Sequence, residues 1–137
     1  MGDLRPVPKK RDTCIYELVI LSPETGRFKL YLSVGRDAAG RPVEIWLDCA
    51  KEGTMLREFM HAYAALFSIA LQHGVPLARL VKLYKEWRFE PCGAVNGFPG
   101  VPECQSVLSL VVRVLEAEFP GEAMPPRAQK DLWGDHI

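Results

Sequence analysis

Two stretches of the chain alternate strictly between apolar and polar positions. Phe28, Leu30, Leu32 and Val34 alternate with Lys29, Tyr31 and Ser33, and Val43, Ile45, Leu47 and Cys49 alternate with Glu44, Trp46 and Asp48. A period of two sends one set to a core and the other outward, so both are half-buried strands. Residues 14–21, rich in β-branched and aromatic side chains and closed by Ser22-Pro23, form a third. Gly35 to Pro42, with Asp37 and Gly40, reads as a hairpin connection. A centre between Ala38 and Ala39 sets Leu32 opposite Ile45 and Leu30 opposite Leu47 on the core side. On the outer side it sets Tyr31 opposite Trp46 and Lys29 opposite Asp48, so one register satisfies apolar, aromatic and ionic pairs together.

The period then changes to that of a helix. Leu56, Phe59, Met60, Tyr63, Phe67, Ala70 and Leu71 recur at three- and four-residue steps, and Leu66 and Ile69 widen the stripe. Thr54 is placed to cap the helix, Glu58 sits near its positive end, and His73 near its C-terminus. A stripe this broad predicts burial on most sides, against the sheet, other helices or a second protomer, and hence a symmetric homodimer. Gly74 closes this helix, and Pro76 opens a second that runs to about Glu86 with Leu77, Leu80, Val81 and Tyr84 on one face. A third, from about Cys104 to Phe119, uses Leu108, Val111, Val112 and Leu115 and stops at Pro120-Gly121. The fold class is α+β, a small antiparallel sheet of about three strands packed by three helices. Residues 1–12 form a basic arm, 13–120 the domain, and 121–137 a tail on which Leu132 and Trp133 are expected to dock.

At 137 residues and 48% hydrophobic content the chain can bury a core without metals or disulfides. Its 17 basic and 17 acidic residues cancel, so any nucleic-acid or lipid contact has to be local. Arg5, Lys9, Lys10 and Arg11 are the one basic run, read first as a solvated tail. No apolar stretch reaches membrane-spanning length and no signal-peptide core is present, which implies a soluble cytoplasmic protein. Cys14, Cys49, Cys92 and Cys104 contain no Cys-x-x-Cys pair and read as thiols.

Chemistry-bearing constellations are few. Cys92, Cys104 and one histidine, His73 or His61, are a weak metal set. Glu58 and His61, three apart on one helix, form an acid–base pair with no nucleophile beside it. The loop from Cys92 to Pro102 carries Gly93, Asn96, Gly97 and Gly100, whose amides could meet a phosphate beside the third helix. It lacks the order of a phosphate-binding loop, and a turn-rich connector packed by Phe98 is preferred. Arg88, between Trp87 and Phe89, should be held either by Glu90, Asp48 or Glu52 or by an anionic ligand, the internal carboxylate being preferred. Arg88, Asn96, Gly97 and Ser106 are the candidate ligand set. Tyr31, Trp46 and Trp87 are candidates for a stacking or partner surface.

Several short blocks in one order carry a resemblance over roughly residues 11–120. They are Lys29-Leu30-Tyr31-Leu32 with Val34-Gly35, Asp37 through Arg41, Glu44-Ile45 with Asp48, and Lys51-Glu52-Gly53. Ser68-Ile69, Leu71-Gln72, Gly74-Val75-Pro76-Leu77, Arg88-Phe89-Glu90-Pro91 with Gly93, and Asn96-Gly97 complete the set. Together they resemble the C-terminal accessory domain of vitamin B12-dependent (class II) ribonucleotide reductases, the TSCPD domain, here standing alone. Where that motif would fall the chain has Gln105-Ser106-Val107-Leu108-Ser109, keeping only the serine. The resemblance implies an accessory module without activity of its own, acting in trans with a reductase large chain as a component of a ribonucleoside-diphosphate reductase, in deoxyribonucleotide synthesis for DNA replication. It implies no cofactor on this chain alone; cobalamin would belong to the partner. The alternatives are a free-standing nucleotide- or nucleic-acid-binding module and, more weakly, a small metal-binding sensor.

Overall fold

The computed structural model describes residues 4–49 and 54–124. Three strands, β1 (Thr13–Ser22), β2 (Gly26–Arg36) and β3 (Pro42–Cys49), are followed by helices α1 (Met55–Gln72) and α2 (Leu77–Tyr84). A short hairpin, β4 (Gly93–Asn96) and β5 (Glu103–Cys104), leads into α3 (Val107–Glu118). The sheet is antiparallel with order β3-β2-β1-β4-β5, so the first strand is central and the hairpin pairs with its second edge. The α+β class therefore holds, with five strands rather than three. The added two escape a reading by alternation because each buries a single side chain, Val95 and Cys104. The third helix consequently starts at Val107 rather than near Cys104, and α2 ends at Tyr84 with Pro76 as its N-cap.

Faces in the β2–β3 hairpin are as expected, but the pairs are displaced by two residues. Leu32 faces Leu47, Val34 faces Ile45, Tyr31 faces Asp48 and Ser33 faces Trp46. The turn is responsible. Asp37 donates its backbone N–H to Arg41 O (2.9 Å), and its Oδ1 accepts the N–H groups of Ala39 (3.0 Å) and Arg41 (2.9 Å). This Asp-built loop and a bulge at Gly35/Arg36 move the hairpin centre one residue onward. A two-residue displacement keeps every side chain on its face, which is why the alternation survived it.

One sheet face, with Leu18, Ile20, Leu30, Leu32, Ile45 and Leu47, meets the helices in a single core. The helix most enclosed is α3, which buries Val107, Leu110, Val111, Val112, Val114 and Leu115. By contrast α1 is enclosed on one side only, through Met60, Ala64, Phe67, Ser68 and Leu71. Among the described residues of one chain its burial is one-sided rather than on most sides: Met55 (76% exposed), Phe59 (65%), Leu66 (66%) and Ile69 (52%) face outward. The helix lies along the outer edge of β3, where an unpaired strand would otherwise expose its backbone. Ser68 Oγ accepts the Ile45 N–H (2.9 Å) and sits 3.0 Å from Ile45 O and 2.8 Å from Ala64 O, to one of which it donates. Gln72 Nε2 donates to Val43 O (3.1 Å). Among the described residues no helix is long and apolar enough to cross a membrane.

Candidate functional site

The sheet face away from the helices carries Tyr31 and Trp46 as diagonal neighbours on adjacent strands. Trp46, 47% exposed, stacks on His61 of α1 with ring centroids 4.8 Å apart rather than on Tyr31. Lys29 Nζ stands 5.7 Å from the Tyr31 ring centroid and pairs with Glu17 (2.6 Å). Behind Trp46, Asp48 Oδ1 accepts from Arg57 Nε (2.8 Å) and lies 3.4 Å from His61 Nε2. His61 is thus partnered by Asp48, next to the last residue of β3, and not by Glu58 on its own helix. The basic arm is also committed in part: Arg11 donates to Glu44 through Nε (2.5 Å), and Arg5 pairs with Glu122 (3.8 Å), while Lys9 and Lys10 are exposed. Cations and carboxylates on this face therefore alternate, which leaves little net field for a polyanion.

The Arg57 guanidinium, with the Cys49 N–H and His61, holds the Asp48 carboxyl down at about 2 against the opposing effect of burial. A carboxylate depressed in the folded state adds stability above the ordinary aspartate pKa near 3.8 and loses it as pH falls toward 2. Replacing Asp48 by Asn should flatten the acid limb of an unfolding-midpoint profile between pH 4 and 2. An unchanged limb would show that this pair adds nothing, as exposed pairs often do.

A second patch forms where α2 runs into β4. Tyr63, Tyr84 and Trp87 make a ladder of rings at 5.1 and 5.6 Å, ending in Trp87, which is 49% exposed. Arg88 beyond it is exposed and has no ion pair among the described residues. The preferred internal carboxylate partners are otherwise engaged: Asp48 is held by Arg57, and Glu90 accepts the Ser22 hydroxyl and the Cys92 thiol (3.3 Å). Glu52 lies outside the described residues, as do Leu132 and Trp133. Those two hydrogen bonds, and at longer range the charge of Arg88, lower the Glu90 pKa.

Ser106, by contrast, is fully buried. It caps α3 by accepting the Ser109 N–H (3.1 Å) and donates to Trp87 O (2.5 Å). Beside it Ser109 Oγ donates to Lys85 O (2.7 Å), and Arg113 reaches Ser109 Oγ (3.0 Å), Gln105 Oε1 (2.7 Å) and Lys85 O (3.2 Å). This network, which binds the end of α2 to the start of α3, was missed from sequence. Its signal was Ser106, Ser109 and Arg113 at helical steps of three and four.

The candidate ligand residues divide into two groups. Phe89 N–H donates to Gln105 O (3.1 Å), setting Arg88 near Ser106, whereas Asn96 and Gly97 lie at the other end of β4. The loop between the hairpin strands is a packed connector, Phe98 meeting Tyr16 edge-on at 5.8 Å. Gly93 and Gly97 press against β1: a Cβ would stand 2.4 Å from Leu21 O and 2.2 Å from Glu17 O respectively.

The thiols of Cys92 and Cys104 flank the pairing of Gly93 with Cys104. Burial pushes the Cys104 thiol up to about 11, and the hydrogen bond to Glu90 raises that of Cys92, so both are protonated at neutral pH. His73 is elsewhere, its Nδ1 3.0 Å from Ile69 O at the end of α1. Among the described residues no group of three or more His, Cys, Asp or Glu side chains is placed to hold a metal ion. Among the described residues a groove of about 220 Å³ lies between residues 100–103 and Arg113, Glu116 and Ala117, smaller than ordinary small-molecule sites.

The fold and its patches define a small α+β domain whose buried polar groups bind its own elements together and whose aromatic residues reach solvent at Trp46, Phe59 and Trp87. The chain belongs to the TSCPD domain family, whose model matches residues 12–119. It is 39% identical over 87% of its length to a vitamin B12-dependent ribonucleotide reductase of Bradyrhizobium diazoefficiens. Proteins of the same name from Agrobacterium fabrum and Rhodopirellula baltica are 38% and 35% identical over 70% and 72% of the chain. The matches take up only 9%, 8% and 10% of those proteins, so the chain spans about a tenth of the relatives' length. No solved structure matches it. Several blocks that carry the resemblance have structural duties: Asp37 through Arg41 builds the turn, and Ser68 and Gln72 close the sheet edge.

Proposed function

We propose that this domain is a non-catalytic accessory module that works in trans with a vitamin B12-dependent ribonucleotide reductase large chain, in the cytoplasm, supporting deoxyribonucleotide synthesis. The observation that carries this reading is the 39% identity across most of the chain to a short segment of such a reductase. Cobalamin, in this reading, is held by the partner. We infer as well that the domain forms a homodimer.

Affinity capture of the tagged protein from its own cells, followed by mass spectrometry, should return a reductase large chain; reproducible absence of one overturns the reading. The exposed Arg88 and Trp87 are the residues to vary in that assay. Replacing Arg88 by Ala should leave stability within about 0.5 kcal/mol of the parent, because an exposed side chain with no ion pair among the described residues is lost cheaply. A fall in reductase capture at unchanged melting temperature would place the contact at this loop.

A second reading, a nucleotide- or nucleic-acid-binding module, draws on the exposed stack of Trp46 on His61 beside Tyr31. It is the weaker one because Lys29, Arg57 and Arg11 on that side are each paired with a carboxylate. Tryptophan fluorescence titrated with single-stranded oligonucleotides decides it: saturable quenching that is abolished in Trp46→Ala would favour it.

A further inference from the structure

The outward residues of α1 fall on a strict heptad seam. Met55, Phe59, Ala62, Leu66, Ile69 and His73 follow in alternating steps of four and three, and all are exposed. This is the spacing of a helix that packs along another helix, and among the described residues nothing is placed on it. Building on the homodimer reading above, we propose that the α1 helices of two copies pack antiparallel along this seam, around a twofold axis near Ala65.

Three features select a second copy as the occupant. First, the seam is its own complement when reversed: Met55 meets His73, Phe59 meets Ile69 and Ala62 meets Leu66. Large residues then lie against large at the ends and a small one against Leu66 near the centre, where Ala62 and Ala65 let the backbones approach. Second, among the described residues the one carboxylate exposed on this side of the helix, Glu58, flanks the seam within one turn of the second copy's His73, and no like charges meet. Third, the exposed parts of these side chains amount to roughly 600 Å² per copy, or roughly 1,200 Å² for the pair, the lower bound for a specific interface. A seam of that size suits a dimer that forms at micromolar concentration.

Sedimentation velocity across a concentration series should show the parent chain passing from monomer to dimer, and Leu66→Glu remaining a monomer with an unchanged circular-dichroism spectrum. Leu66 is 66% exposed, so the charge leaves the monomer's core intact. Orientation is read by a short bismaleimide linker on single cysteines in a Cys14→Ser background. Ala65→Cys should be linked to its own copy, whereas Glu58→Cys, about 20 Å from its copy in the antiparallel pair, should not. Equal linking at both positions means parallel helices and overturns the proposal. A dimer that survives Leu66→Glu overturns the seam while leaving self-association standing. A parent chain monomeric at every concentration sinks both. If that monomer loses reductase capture on Leu66→Glu, the face belongs to the reductase instead.

Discussion

Replacing Gly97 by Ala should destabilise the domain by about 3 kcal/mol or more and lower the melting temperature by on the order of 10 °C. Two costs combine. The residue sits at φ +107, a conformation that side chains with a Cβ rarely adopt, and the new methyl group would stand 2.2 Å from the carbonyl oxygen of Glu17. That oxygen belongs to the central strand, so relief requires β4 to withdraw from β1 over its three paired positions. Gly26→Ala is the control, since it has positive φ but nothing within 4 Å of its Cβ; it should lose only about 1 kcal/mol. Thermal melts of both variants measure the difference. If Gly97→Ala melts like the parent but loses binding to a nucleotide or to the reductase, the glycine serves a ligand rather than the sheet.

Ser106→Ala should cost about 2–3 kcal/mol. The hydroxyl caps α3, which is worth about 1 kcal/mol, and it also donates to Trp87 O in a site closed to water. Without it, that carbonyl must find another donor or carry its desolvation penalty. Threonine, which keeps the hydroxyl, should recover most of the loss if its methyl group fits, and urea titration of the three proteins gives the comparison. A Ser106→Ala variant of parental stability would remove the hydroxyl from the fold and return it to the candidate ligand set. Because Trp87 and Arg88 are attached to the carbonyl that Ser106 holds, loss of the cap should also loosen the exposed patch, and reductase capture should weaken in the same variant.

Elements whose faces are written in local periodicity were legible from the chain alone. The three long strands, the caps at Thr54 and His73, and the inward set of β2 and β3 all follow from a repeat that a single strand or helix imposes on itself. The family resemblance was legible too, because its blocks are local. The register of the hairpin was not: alternation repeats every two residues, so it specifies a face and leaves pairings two residues apart equivalent, and the Asp37 turn made the choice. Nor were β4 and β5, whose single buried residues carry no period: β4 is a strand because β1 offers an unpaired edge that two glycines let it approach, and β5 because it pairs with β4 in turn.

Amphipathic breadth along α1 marks excess apolar surface, but which half of it faces the core depends on where the β3 edge lies. The same holds for the candidate site. Residue type marked Arg88 and Ser106 alike as able to bind a ligand, and only packing separated them, leaving one in solvent and burying the other between two helices. A sequence states what each side chain can do; its surroundings in three dimensions, which set desolvation and partners, decide which of those capacities is still free.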